Sequence, residues 1–283
     1  MTSDLTVVAN VGDNYWFQGL YVCPDIDIAV YTLAGISDSR TGWGIRGDTF
    51  NVLGQLGRLG QETWFRMGDT DLAIAMVRTG LLRSGKTLTQ ATSLIGESLG
   101  AKAPVLPATD SPVETLMVTN AGTMHLQEFW VKKRGSPRVT RVKYDGAREA
   151  SPTRQVARAL SDAERVIVCP ANPITSIGPI LAIGGMKQLL SRSEARVVAV
   201  SPMVGSRPYS GPAGRLMRQL DMRPDSVGVA SLYSDFVDLL LIDGTDAEMR
   251  DEVERTGVSC APADTRMGTT SQARRLASVL LEA

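Results

Sequence analysis

The chain has 283 residues, 43% of them hydrophobic and 21% charged, enough apolar material for a sizeable core. Thirty basic and thirty acidic residues cancel to a formal net charge of zero, which argues against nucleic acid or an anionic membrane as a partner. Three widely spaced cysteines (Cys23, Cys169 and Cys260) suggest neither a disulfide framework nor a CxxC metal motif, the start MTSDLTVVAN has no leader pattern, and no run reaches the ~18 apolar residues of a membrane helix, so the expected location is the cytoplasm.

The apolar, β-branched run LTVVA (5–9) reads as a buried strand that stops at the turn signal NVGDN (10–14). DIAVYTLAG (27–35) has helical spacing and a glycine stop. Residues 49–59 read as a second helix and 69–84 as a long amphipathic one with Asp69 as its N-cap. Thr87 or Thr89 caps a further helix running to Leu99. From 105 to 144 the texture changes to short strands (114–119 and 138–144) flanking MHLQEFWVKKRG, read as a smaller lobe inserted at about 103–150 in one α/β domain spanning 1–283. After Pro152 the alternation returns: a helix to Leu160, a strand at 165–168, the polar loop CPANPITSIGPI (169–180) and a helix near 185–191. A strand at 196–200, the loop 202–211, a helix from Pro212, a strand at 238–242, a helix at 245–256, a short strand near Val258 and a closing helix from Thr269 complete the pattern. Strands alternating with helices predict a mostly parallel sheet covered on both faces.

Four stretches carry chemistry. GDNYWFQGLYVCPDID places Asp13, Asp25 and Asp27 within fifteen residues. In an extended segment Asp25 and Asp27 point to one side, and close carboxylates are relieved by a divalent cation. The competing reading is a helix N-cap. In WFRMGDTD, Arg66 can hold a phosphate or carboxylate and Asp69 a metal or hydroxyl, against a plain strand-to-helix turn with an acidic start. In the loop after the 165–168 strand, Asn172, Thr175, Ser176 and Gly178 offer N–H and O–H donors where parallel sheets bind ligands, without matching GxxxxGK[ST] or GxGxxG. SPMVGSRPYSGPAGRLM (201–217) has the same polar, glycine-rich character. The single histidine, His125, excludes a histidine metal cluster and reads as packing within the smaller lobe. The basic stretch from Lys132 to Arg148 either neutralises a polyanion or forms a solvated hairpin face.

Taken together, VVANVGDNYWFQGLYVCPDIDIAVYTLAG, RTGWGIRGDTFNVLGQLGRLG, WFRMGDTDLA, LPATDSPVETLMVT, MHLQEFWVKKRG, ANPITSIGPI, VSPMVGSRPYSGPAGRLM and ADTRM resemble, in order and over nearly the whole chain, the 2-phospho-L-lactate transferases of coenzyme F(420) biosynthesis. The resemblance implies a Rossmann-like fold, a homodimer and a Mg2+-dependent transfer onto the deazaflavin Fo. The donor would be a guanosine diphosphate carrying lactate or, in some bacterial members, enolpyruvate, with GMP leaving. Asp27 and Arg66 fall on the family's Fo-contacting positions, and Asn172, Thr175, Ser176 and Gly178 on its diphosphate-side loop. Asp13 and Asp27 are then expected as catalytic carboxylates, Asp13, Asp25 and Asp69 as metal ligands, and Tyr15, Trp16 and Trp43 as borders of the flat ring, unless those aromatics simply pack in the core. Two positions depart from the family's pattern: Asn14 stands where a second acid is usual, and Thr70 where GDRD has arginine. Family members usually begin with a strand and a GGTGGxK-type turn, and 5–9 reads as the strand after these, so that unit is expected to be absent. An alternative reading is a non-catalytic protein of the same fold that binds a nucleotide or deazaflavin, and another is an enzyme that uses sugar nucleotides.

Overall fold

The computed structural model describes residues 4–205, 207–209 and 211–283. The chain opens with β1 (Val7–Ala9) and a hairpin of β2 (Tyr15–Phe17) and β3 (Leu20–Val22), followed by helices α1 (Pro24–Ala34), α2 (Asn51–Arg58), α3 (Asp69–Arg83) and α4 (Leu88–Leu99) and by β4 (Val105–Pro107). Next come β5 (Glu114–Thr119), β6 (Gly122–His125), a π-helical turn (Glu128–Lys132) and β7 (Val139–Asp145). The second half holds α5 (Arg154–Asp162), β8 (Arg165–Val168), α6 (Ile177–Ala182), α7 (Met186–Arg192), β9 (Arg196–Val200), the short strands β10 (Met203–Val204) and β11 (Arg207–Pro208), α8 (Ala213–Gln219) and α9 (Ser226–Tyr233). It closes with β12 (Leu239–Asp243), a 3-10 turn (Gly244–Met249), α10 (Arg250–Glu254), β13 (Ser259–Ala263) and α11 (Thr270–Glu282).

The main sheet runs β13-β12-β9-β8, all parallel, with Leu240 of β12 between Cys260 and Ala199. Apart from Arg196 at the start of β9 and Asp243 at the end of β12, its central strands are apolar, because both faces are covered. Val198, Val200, Leu239 and Leu241 pack with Leu276 and Leu280 of α11 on one face. Val197, Ala199, Leu240 and Ile242 join the large core on the other. β1 pairs in parallel with β4, and among the described residues no ladder joins this pair to the main sheet. The expected α/β architecture, parallel strands flanked by helices, is therefore present.

The stretch read as a smaller lobe folds as a three-stranded antiparallel sheet, β6-β5-β7, with a register shift between Val118 and Thr119. Its Met117, Phe129 and Val139 are buried in the same core as Ala9 and Ile183, so one hydrophobic cluster unites it with the body. The hairpin of β2 and β3 was not legible as strands. Its two-residue turn, Gln18-Gly19, has both φ angles positive, 50° and 74°, the geometry that matches strand twist. Helices α6 and α9 were also unread, being short and mostly apolar, and the helix read at 245–256 is a 3-10 turn followed by α10. In the second polar loop, Ser206 and Ser210 lie outside the described residues.

Candidate active site

The site begins where β1 ends. Asn10 is only 4% exposed. Its Nδ2 donates to Asp13 Oδ1 at 2.8 Å, to Asp25 Oδ2 at 2.9 Å and, at 3.4 Å, to the Thr175 carbonyl, while its Oδ1 accepts from the Gly12 N–H at 2.7 Å. One amide therefore ties together the turn after β1, the first turn of α1 and the loop after β8. Two carboxylate oxygens on one amide nitrogen lie within about 6 Å of each other. Burial, and after it the neighbouring Asp25 charge, holds Asp13 well above the usual carboxylate range. Burial also raises Asp25, against the opposing bond from Asn10.

Close packing fixes the loop beside this pair. A Cβ on Gly12 would come within 2.6 Å of Thr115 Oγ1 and 2.7 Å of Pro179 Cβ, so only glycine lets the Asp13 turn lie against it. Tyr144 of β7 donates to the Ile174 carbonyl at 2.6 Å. A Cβ on Gly178 would run into the Tyr144 phenol and the Pro173 carbonyl. What Asn172 does narrows the expected cradle of N–H and O–H donors. Its Oδ1 accepts from the N–H of Ile174 at 2.9 Å and of Thr175 at 3.3 Å, and its carbonyl accepts from Ser176 and Ile177, both at 3.0 Å. Those N–H groups are turned inward. The side-chain hydroxyls of Thr175 and Ser176, which make no hydrogen bond to a described residue, remain as donors.

The structure separates the other expected residues. α1 starts at Pro24, so Asp25 and Asp27 sit on a helix and diverge instead of sharing one side of an extended segment. Nor is either a cap, since Cys23 holds the N-cap position without a side-chain bond. Asp27 is buried and ion-paired with the buried Arg78, which reaches both its oxygens. Burial raises Asp27 while Arg78 opposes the rise.

Asp69 is the clearest correction. Its Oδ2 accepts from Thr49 Oγ1 at 2.5 Å and from the Asn51 N–H and Nδ2, both at 3.1 Å, and its Oδ1 accepts from the Val52 N–H at 2.9 Å. Asp48 reciprocates, accepting from the Thr70 N–H at 3.0 Å and Oγ1 at 2.9 Å. Each aspartate caps the other's helix, so Asp69 is a clasp between α2 and α3, whose own N-cap is Gly68. The bond from Thr49 heads those that lower its pKa. No group of three His, Cys, Asp or Glu residues suited to a metal occurs among the described residues. Asp13 and Asp25 remain as a pair. Such a pair still fits magnesium, which keeps several waters and is commonly bound by one or two carboxylates together with substrate phosphates.

Arg66 is exposed, with its guanidinium 4.8 Å from the Phe50 ring centroid and 6.0 Å from that of Trp43. No ion pair or hydrogen bond joins it to Asp27 or to the Asp13–Asp25 pair. Trp16 and Trp43 are exposed, whereas Tyr15 packs between Trp64 and His125. His125 Nδ1 accepts from the Gln127 N–H at 3.1 Å, and burial pushes its pKa down to about 4, so it stays a neutral packing residue as read.

Sequence reasoning missed Asn10, Arg78 and Asp48. The repeated tripeptide Gly-Asp-Thr, at 47–49 and 68–70, was the available signal for the reciprocal clasp. For Arg78, the signal was a lone charge among the apolar positions of α3.

Parallel strands covered by helices, with a half-buried carboxylate pair at their carboxyl ends, define a Rossmann-like α/β protein with an acidic site. Two solved structures share the fold: a UPF0052-family protein from Bacillus halodurans (TM-score 0.64, 13% identity) and another structure of BH3568 from the same organism (TM-score 0.62, 14% identity), each covering 98% of this chain and 91% of the other. The family model described as 2-phospho-L-lactate transferase CofD matches residues 1–277. The 2-phospho-L-lactate transferase of Methanosarcina mazei is 39% identical, covering 99% of this chain and 92% of its own, and that of Methanopyrus kandleri is 40% identical, covering 99% and 90%. The chain belongs to the 2-phospho-L-lactate transferase CofD family and is an enzyme of that type.

Proposed function

We propose that this chain moves a phospholactyl or phosphoenolpyruvyl group from a guanosine-diphosphate-activated donor to the terminal ribityl hydroxyl of Fo, releasing GMP, with Mg2+ as cofactor. The observation that carries this reading is the Asn10 amide, which holds Asp13 and Asp25 beside the 172–178 loop. The Fo hydroxyl oxygen forms a bond to the phosphorus next to the three-carbon group. The bond from that phosphorus to GMP breaks, and the hydroxyl proton leaves to a carboxylate. Such transfers depend on positioning and charge neutralisation more than on covalent catalysis.

Asp13 suits the proton-accepting role where it is not itself a metal ligand, because burial and Asp25 then raise its proton affinity. Asp27, with both oxygens on Arg78, orients the acceptor instead of taking its proton. Thr175 and Ser176 donate their hydroxyls to the diphosphate, and Arg66, backed by Phe50, meets Fo. Asp25, with Asp13 where the latter is not accepting the proton, would hold magnesium, which would supply neutralising charge to the diphosphate.

The test is to incubate the purified chain with Fo and, separately, the lactyl and the enolpyruvyl donor, and to resolve products by mass. One donor should yield GMP and the phosphoester of Fo, and excess chelator should abolish turnover. No transfer from either donor would overturn the reading, and full activity in chelator would remove the metal from it. Fluorescence titration of Fo against the Asp27→Ala, Arg66→Ala double variant tests the acceptor side, where unchanged affinity rejects both residues.

A further inference from the structure

A cavity of about 460 Å³ adjoins the 172–178 loop, and none of Asp13, Asp25, Thr175 and Ser176 lines it. Its walls are mostly apolar: Val142 of β7, Leu181 of α6, Leu220 and Met222 of the α8–α9 connection and Leu232 of α9, each half-buried against the main core. Asp221, left-handed at φ 57°, turns the chain between Leu220 and Met222. Tyr233 differs from the rest of the lining. It is 1% exposed, yet its hydroxyl makes no hydrogen bond to a described residue. A buried hydroxyl ordinarily has a partner. Burial, and after it the nearby Tyr144 phenol, pushes Tyr233 well above the usual phenol range, so it stays a neutral donor. Tyr144, also in the wall, commits its own proton to the Ile174 carbonyl at 2.6 Å. The charges around the cavity cancel. Lys187 pairs with Asp235 at 3.1 Å, and the exposed Arg141 is matched in sign by the exposed Asp221. An anion buried beside two neutral phenols would lose its water without gaining a paired cation.

We propose that this cavity is a second small-molecule site, taking a neutral ligand with an apolar body and one hydrogen-bond acceptor, a ketone or ester carbonyl, seated on the Tyr233 hydroxyl. Apolar walls bury the body, and the single buried donor fixes its orientation, the usual composition of such a site. Occupancy is coupled to the loop, because Tyr144, Pro173, Ile174 and Gly178 belong to the cavity wall while the Tyr144–Ile174 bond braces the loop itself. A ligand held there favours the braced conformation, and whatever binds the loop in that conformation binds more tightly by linkage. The coupling rests on the reading of 172–178 as the donor loop, and on that reading the cavity is an activating effector site.

Calorimetric titration of the full chain with propiophenone, propylbenzene and 3-phenylpropionate, in the absence of substrates, tests the site. The ketone should bind best of the three. Tyr233→Phe should weaken the ketone about fivefold, the worth of one neutral hydrogen bond, and leave propylbenzene unchanged. Leu232→Trp, which fills the cavity, should abolish binding of both. Should that variant not fold, Tyr233→Phe, which removes a single oxygen, decides the question. No binding of the ketone, tighter binding of 3-phenylpropionate, or an equal loss of ketone and hydrocarbon in Tyr233→Phe overturns the site. Saturating propiophenone should also lower the KM for the nucleotide donor about fivefold in the native chain. An unchanged KM with the ketone bound overturns the coupling. The titration needs no turnover, so it judges the site even if the transfer reading fails.

Discussion

Replacing Asn10 with alanine tests the keystone of the site. The change removes donors that lie 2.8 Å from Asp13 and 2.9 Å from Asp25, and the acceptor 2.7 Å from the Gly12 N–H. A hydrogen bond to a charged group contributes about 1.5–3 kcal/mol and a neutral one about 1 kcal/mol, for a gross loss of roughly 4–7 kcal/mol. Part is recovered, because carboxylates stripped of a donor can bind a proton or water, and Asp13 already leans that way. The net loss near pH 7 should be about 3 kcal/mol, read from urea denaturation in the absence of divalent ions. Asn10→Asp separates electrostatics from packing. It keeps the side chain's size but sets a third carboxylate against the pair, so it should be less stable than Asn10→Ala without divalent ions. Added Mn2+ should raise its melting temperature more than it raises that of the native chain. The reasoning fails if Asn10→Ala denatures at the native urea concentration, or if Asn10→Asp responds to Mn2+ no more than the native protein does.

Three further outcomes follow from the geometry. Gly178→Ala forces the loop away from Tyr144 and Pro173, which should cost about 1–3 kcal/mol of stability and raise the KM for the nucleotide donor, while Fo binding by fluorescence stays intact. Asp69→Ala should lower the melting temperature by a few degrees through loss of the α2 cap, with Mn2+ affinity unchanged in a calorimetric titration; a large fall in affinity would restore Asp69 as a ligand. His125 titrates near 4 when folded, against 6.5 for the free side chain. Between those values the unfolded chain binds a proton that the folded chain refuses, so stability falls as pH drops from 6.5 to 4, by about 3 kcal/mol from this residue. The stability difference between His125→Phe and the native chain should shift by that amount between pH 7 and pH 4, and a constant difference would show that His125 is not buried neutral.

Local pattern was enough for the parts of this protein that local physics controls. The β-branched runs of β8 and β9 and the strand β5 stand at the residues read from sequence, because β9 is covered on both faces and reads as an apolar run, while β5 buries alternate residues against the core and reads as an alternation. Thr87 and Thr269 cap their helices as their side-chain chemistry predicts. The order of motifs along the chain was also sufficient to place it in its family. What the aspartates do was decided by tertiary structure. Asp13, Asp25, Asp27 and Asp69 look alike in sequence, each beside a turn or helix start. The fold gives Asp13 and Asp25 to one buried amide, Asp27 to an arginine fifty-one positions away, and Asp69 to the neighbouring helix as a cap. A carboxylate's role depends on which donors and charges surround it and how much water it keeps. Those neighbours come from distant segments brought together by folding, and spacing along the chain cannot specify them.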